Sequence, residues 1–89
     1  LDHISIEGDA DVNLDEVHIS SLSSFFENKN LSQIQARHHT GCTIIGMKSS
    51  DGNYIVNPGA NTILEPNSKL FILGNSKQIK QFNDKLDLT

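Results

Sequence analysis

The sequence is poor in sulfur-containing and aromatic residues. It has no tryptophan, one methionine and a single cysteine among 89 residues, and only 6% of the chain is aromatic. A lone cysteine excludes a disulfide within one copy of the chain, and the lack of a Cys-x-x-Cys pair argues against structural zinc. Cys42 lies in the apolar run 42–45, which predicts a small buried side chain in a reducing compartment.

Long apolar runs and clusters of positive charge are also missing. No stretch approaches the roughly 18 apolar residues of a membrane-spanning helix, so we expect no direct membrane insertion of this chain. Seven basic and eleven acidic residues give a formal net charge of −4, without a Lys/Arg run, and we expect no nucleic-acid partner. No nucleophile motif, phosphate loop or Gly-x-Gly-x-x-Gly fingerprint occurs. We therefore predict that the chain is not an enzyme.

The first sixteen residues are acidic and contain one short alternating segment. His3–Ile6 alternates polar and apolar side chains, which predicts a short edge strand. The acidic stretch that follows predicts a loop or linker. We therefore divide the chain into an N-terminal linker or edge strand, 1–16, and one domain, 17–89.

Two short helices are predicted from capping residues and apolar spacing. Asn30 followed by Gln33 forms a weak capping box, and this helix ends near residue 39, before Gly41 as a left-handed C-terminal residue. A second Asn-x-x-Gln pattern, at 75–78, precedes a C-terminal helix. The apolar residues of that helix fall on one face: Ile79, Phe82 and Leu86.

The block from Thr40 to Gly74 carries most of the strand signal. Residues 42–48 and 69–73 are apolar on both faces, and Asp51-Gly52 is a strong hairpin signal before the return strand 53–56. Strands that are apolar on both faces need a covering on each face. Two short helices can cover one face, so we expect a second copy of the chain to cover part of the other.

Four segments of the chain follow one another in a recognisable order. They are Arg37-x-x-Thr-Gly-Cys-Thr-Ile-Ile-Gly-Met-Lys, Asp-Gly-Asn-Tyr-Ile-Val-Asn-Pro, Leu64-Glu-Pro and Lys69-Leu-Phe-Ile-Leu-Gly. This order and spacing, over residues 17–85, resemble the C-terminal subdomain of RCK domains, which regulate conductance of potassium and are also called TrkA-C-like domains. One departure is Asn67-Ser68, where the family commonly has Gly-Asp in the turn.

The resemblance implies an α+β fold of βαββ(β)α order, with an antiparallel-rich sheet and two short helices, that forms a homodimer. It implies a cytoplasmic position beside an N-terminal RCK subdomain and a potassium pore or transporter subunit of a longer parent protein. It also implies that a small ligand controls ion conductance by favouring one dimer arrangement. The sequence leaves open an alternative, a purely structural dimerisation module without a ligand of its own.

Candidate ligand-binding residues lie at the two ends of the first hairpin. Arg37, His38 and His39 are potential cations at a helix C-terminus, where they can compensate the helix dipole or bind an anion. Some family members bind cyclic di-AMP across the dimer, and the resemblance implies Arg37 in that site, with Asn57 and Pro58 in its wall. The two histidines are also candidate pH sensors, although exposure without a function is the simpler interpretation.

The segment DADVNLD, at residues 9–15, spaces oxygen ligands like the start of a calcium loop. Leu14 stands where that loop needs glycine, and Ser20 stands where it needs a bidentate glutamate, so the helix-loop-helix motif is not met. A solvated acidic loop is the simpler interpretation. A looser calcium site stays open, since some channel members of the family respond to calcium.

Overall fold

The computed structural model describes residues 3–5, 10–19 and 29–87. Within these ranges the strands are β1 (His3–Ser5), β2 (Asn13–Ile19), β3 (Thr43–Lys48), β4 (Tyr54–Val56) and β5 (Ser68–Gly74). The helices are α1 (Leu31–Ile34), α2 (Ala36–Thr40) and α3 (Ser76–Asp87). The strands form one sheet in the order β1-β2-β5-β3-β4, and all neighbouring pairs are antiparallel. The predicted α+β class is confirmed.

β2 extends into the acidic stretch near the N-terminus. It begins at Asn13, inside the acidic stretch that predicts a loop or linker, and its buried residues alternate with more exposed ones. The loop prediction is wrong for residues 13–16 because two of the inward-facing residues, Asn13 and Asp15, are polar and hide the alternation. β2 therefore runs across the division that the sequence suggested at residue 16, and that domain boundary stays a prediction.

β5 lies at the centre of the sheet and supplies the middle of the core. Leu70 and Ile72 of this strand are fully buried on the face that the helices cover, and Phe82 of α3 is fully buried with them. Burying each such side chain contributes roughly 1.5–3 kcal/mol. The rest of the buried apolar cluster is Val17, Ile19, Ile34, Ala36, Cys42, Met47, Leu64 and Ile79.

Both predicted capping boxes are formed. The Asn30 side chain accepts from the Gln33 amide at 2.8 Å, and the Gln33 side chain accepts from the Asn30 amide at 2.9 Å. Asn75 and Gln78 make the same reciprocal pair, at 2.8 Å in both directions. The first predicted helix is divided into α1 and α2, however, because Gln35 adopts a left-handed backbone with a φ of 50°.

The sheet face opposite the helices, here called the open face, keeps much of its apolar surface exposed. Tyr54 and Val56 of β4 are 68% and 82% exposed, and Phe71 of β5 is partly exposed. The Tyr54 and Phe71 rings stack with centroids 6.3 Å apart. The sequence-based expectation that a second copy covers this face stays a prediction. In the described ranges, no helix is both long enough and apolar enough to cross a bilayer.

Candidate functional site

Arg37 and Pro58 line the same groove. Its volume is about 290 Å³, and we call it the α1–β3 groove after the two elements that meet there. Its walls come from α1, α2, the start of β3 and the loop that follows β4. The lining residues are Leu31, Ser32, Gln35, Ala36, Arg37, Cys42, Thr43, Ile44 and Pro58. Two of the five predicted site residues thus meet across a gap of 21 positions in sequence.

The loop that carries Pro58 is held against α1 by main-chain hydrogen bonds. The Leu31 amide donates to the Thr62 carbonyl at 3.0 Å, and the Ser32 amide donates to the Ala60 carbonyl at 3.0 Å. These carbonyls satisfy two of the amides that a helix leaves unpaired at its first turn. The loop and the helix start therefore form one unit, which fixes the width of the groove.

Asn57 shapes the groove through its backbone. It has a left-handed φ of 51°, and its amide donates to the Ile45 carbonyl at 3.1 Å. This conformation ends β4 and turns the chain so that Pro58 reaches the groove. The Asn57 side chain is not among the lining residues in the described part of the chain.

The α1–β3 groove combines one exposed cation with polar and apolar walls. Arg37 supplies a guanidinium, Ser32 and Thr43 supply hydroxyls, and Ile44 with Pro58 supplies apolar contact. Such a mixture suits a ligand that carries both an anionic group and a flat apolar group. At the back of the groove the Cys42 side chain is fully buried, and this burial raises the pKa of its thiol. The prediction of Cys42 as a buried side chain is confirmed.

His38 and His39 lie away from this groove. Together with Arg37 they line a second groove of about 350 Å³, between the end of α2 and the start of α3. We call it the α2–α3 groove; its other lining residues are Thr40, Gly41, Asn75, Lys77, Gln78 and Gln81. The two imidazole rings contact each other edge to face, with centroids 4.9 Å apart. The three predicted cations therefore share the α2–α3 groove, whereas only Arg37 among them also lines the α1–β3 groove with Pro58.

The acidic stretch before β2 takes part in the fold. The Asp11 carboxylate accepts from the Ser76 amide at 3.1 Å and from the Ser76 hydroxyl at 2.6 Å, while the buried Asp15 accepts from the Glu16 amide at 3.1 Å. Among the described residues, no group of three or more His, Cys, Asp and Glu side chains could hold a metal ion. Asp9 and Ser20 lie outside those residues, and a calcium site is not shown.

Sequence reasoning missed part of the α1–β3 groove. Thr43 and Ile44 were interpreted only as strand residues, and Gln35 only as part of a helix. Gln35 is a non-glycine residue with a positive φ at the groove wall, a combination that clusters at functional sites. No pattern in the sequence reports that backbone angle, so this signal is available only from the structure.

The fold is shared with several solved structures. The RCK_C domain dimer of BusR from S. agalactiae, solved with cyclic di-AMP, is 23% identical with a TM-score of 0.77, over 89% of this chain and 95% of that chain. The RCK C domain of the potassium transport protein KtrA, also solved with cyclic di-AMP, is 20% identical with a TM-score of 0.68, over 80% and 79%. At these identities the likeness shows the fold alone.

Longer proteins also contain this fold. S. agalactiae BusR solved with its busAB-promoter DNA is 24% identical with a TM-score of 0.76, over 84% of this chain but only 36% of that chain. The chain therefore spans about a third of that protein. Because BusR is solved with DNA, the expectation of no nucleic-acid partner does not hold for every longer protein that contains this fold. The comparison with curated protein sequences found no similar protein.

The family comparison covers most of the chain. The model of the TrkA-C domain matches residues 16–87, which include the second half of β2, the strands β3 to β5 and all three described helices. This is the family that the four sequence segments indicated, and its span agrees with the range 17–85 of that resemblance. The chain belongs to the TrkA-C domain family.

Proposed function

We propose that the chain is a homodimerising, non-catalytic regulatory domain of a potassium channel or transport system, and that its α1–β3 groove binds a cyclic dinucleotide such as cyclic di-AMP. A longer parent protein would hold it at the cytosolic face of the membrane, next to an N-terminal RCK subdomain. The observation that carries the proposal is that Arg37 and Pro58 meet in one groove. The solved domains of BusR and KtrA with cyclic di-AMP support the choice of ligand.

The groove residues match the parts of such a ligand. The Arg37 guanidinium can donate two parallel hydrogen bonds to a phosphate, which is the strongest interaction the groove offers. Ile44 and Pro58 can pack on a purine ring, and the Thr43 hydroxyl can bind a polar edge. A cyclic dinucleotide has two like halves, and a two-fold dimer presents two like grooves, so each copy would take one half.

Regulation follows if the ligand bridges two copies. A ligand that contacts both copies favours the dimer arrangement in which the two grooves face each other, and it shifts the equilibrium by its difference in affinity for the two arrangements. The parent protein can transmit that shift to a pore or transporter subunit. The domain itself needs no catalytic group for this role.

Substitution of Arg37 tests the ligand site. We expect Arg37→Gln to weaken cyclic di-AMP binding by about 10- to 100-fold, since a hydrogen bond to a charged group contributes about 1.5–3 kcal/mol. Isothermal titration calorimetry measures the loss. Lys48→Gln is the control, because it removes the same charge at the end of β3 and does not line the groove. Wild-type protein without binding heat, or equal affinities for the two variants, would contradict the proposed ligand.

A thermal-shift screen separates the proposal from the alternative of a structural dimerisation module. A specific ligand at about 100 times its dissociation constant should stabilise the fold by roughly 2.7 kcal/mol. Dimerisation in sedimentation experiments without a shift from any nucleotide, cyclic dinucleotide or divalent cation would favour the structural module.

A further inference from the structure

We propose that the α2–α3 groove is a second anion site, which takes the phosphate group of a small ligand and shares only Arg37 with the α1–β3 groove. Arg37 and Lys77 bring two permanent positive charges into it, and His38 and His39 add two imidazoles. Among its described lining residues there is no carboxylate, although the chain has eleven acidic residues and a net charge of −4. The groove is thus locally positive on an acidic protein.

The Gln78 side chain provides an oriented donor at this groove. Its Oε1 accepts from the Asn75 amide at 2.8 Å. The oxygen of the side-chain amide therefore faces Asn75, and the nitrogen, Nε2, points the other way. Its Nε2 approaches Gly41 so closely that a Cβ built there would lie 2.6 Å from it. Nε2 makes no hydrogen bond within the described part of the chain, so its N–H groups are available to an anion.

The start of α3 adds to the positive potential. This twelve-residue helix has no acidic residue in its first turn, where the helix dipole would favour one, and Lys77 lies there with a like charge. The Asp11 carboxylate caps this helix end through Ser76 and offsets part of its positive potential, but it does not line the groove. The C-terminal end of α2 also lies at the groove, and its dipole is negative there. Because α2 has only five residues, this dipole offsets only part of the positive charge of the groove. A bound anion would relieve the repulsion at Lys77.

The surroundings favour a small phosphate ligand over a nucleic acid. Asp84 lies in the neighbouring groove beside His39 and Gln81, where it pairs with Lys80 at 3.0 Å. An extended polyanion that crossed the α2–α3 groove would meet this carboxylate and the negative charge of the rest of the chain. A single phosphate or pyrophosphate group fits within the groove of about 350 Å³, whose lining does not include Asp84.

Pyrophosphate titration followed by NMR tests the proposal. We expect amide shifts at Gly41, Lys77 and Gln78, and affinity about fivefold weaker in Lys77→Gln, in line with one lost charge-assisted contact at an exposed site. Lys48→Gln is the control with the same change in net charge. Equal weakening by the two variants, or shifts confined to Thr43 and Ile44 of the α1–β3 groove, would overturn the proposal.

Two further measurements separate this site from the cyclic dinucleotide site and from DNA. Lys77→Gln should leave cyclic di-AMP binding unchanged, because Lys77 does not line the α1–β3 groove. If Lys77→Gln instead abolished cyclic di-AMP binding, the α2–α3 groove would be part of the cyclic dinucleotide site rather than a second site, and the proposal would fail. If it reduced the retention of duplex DNA without affecting pyrophosphate, the partner would be nucleic acid rather than a small phosphate.

Discussion

Single residues with a left-handed backbone shape the turns of this domain. Five of the described residues have a positive φ, namely Gln35, Gly41, Gly52, Asn57 and Asn67. Asn67 occupies the turn position at which the family commonly has glycine. Asparagine tolerates this conformation better than most side chains, so the turn before β5 forms despite the departure. The Ser68 hydroxyl closes that turn by donating to the Glu65 carbonyl at 2.6 Å.

Alanine at three glycines separates backbone strain from side-chain crowding. Gly59→Ala should change the free energy of unfolding by no more than about 0.5 kcal/mol, since its Cβ would meet nothing within 4 Å and its φ is not positive. Gly52→Ala should cost about 1–2 kcal/mol for its positive φ alone. Gly41→Ala should cost a further ~1 kcal/mol, because its Cβ would displace Gln78 from the capping box. Urea denaturation measures all three, and equal effects at Gly41 and Gly52 would exclude the role given to Gln78.

At the scale of elements, contacts distant in sequence connect the start of β2 to the start of α3. The Asp11 carboxylate accepts from the amide and the hydroxyl of Ser76, 65 positions away, and from the Asn13 side chain at 2.8 Å. Asn75 and Gln78 satisfy other groups of the same helix end. The segment that predicts an acidic loop is therefore part of the N-terminal cap of α3.

Removal of this cap should destabilise the fold. Asp11→Ala should lower the free energy of unfolding by about 1 kcal/mol, the usual cost of losing a capping carboxylate at a helix N-terminus. Asp84→Ala is the comparison, because its i,i+4 pair with Lys80 is exposed and should contribute no more than about 0.5 kcal/mol. Chemical denaturation at low and high salt measures both. If Asp11→Ala lowered the free energy of unfolding no more than Asp84→Ala, the role of Asp11 as a helix cap would be contradicted.

At the scale of the whole molecule, the two faces of the sheet differ. The helices bury one face, whereas the open face leaves Tyr54 and Val56 largely exposed. Pro58 lies two positions after the last residue of β4, so the α1–β3 groove and the exposed end of β4 lie at the same edge of the sheet. A dimer formed at this edge would cover apolar surface and bring two grooves together, as the proposed function requires.

Two matched substitutions locate the dimer contact. Val56→Lys should weaken dimerisation by about tenfold or more. In the proposed dimer it would replace an apolar contact with a positive charge on each copy, and the two charges would repel. Val12→Lys should leave dimerisation unchanged. Val12 is 39% exposed and lies just before β2, toward the edge of the sheet opposite β4. Sedimentation velocity measures both. A stronger effect from Val12→Lys would place the contact at the opposite edge.

Local features of the chain were predictable from the sequence. Both capping boxes, the hairpin at Asp51-Gly52 and the C-terminal helix depend on residues within a few positions of each other, and each is present. The burial of Cys42 followed from its apolar neighbours. The order of these segments was enough to indicate the family.

The tertiary structure decided what the sequence pattern could not contain. It placed Pro58 in the same groove as Arg37 and kept His38 and His39 out of that groove. It also joined Asp11 to the start of α3. These arrangements depend on strand pairing and helix packing between residues tens of positions apart. The sequence by itself therefore determined the elements that depend on neighbouring residues, the family and the residue types of the candidate site. The packed fold decided the start of β2, the division of the first helix at Gln35 and which site residues share a groove.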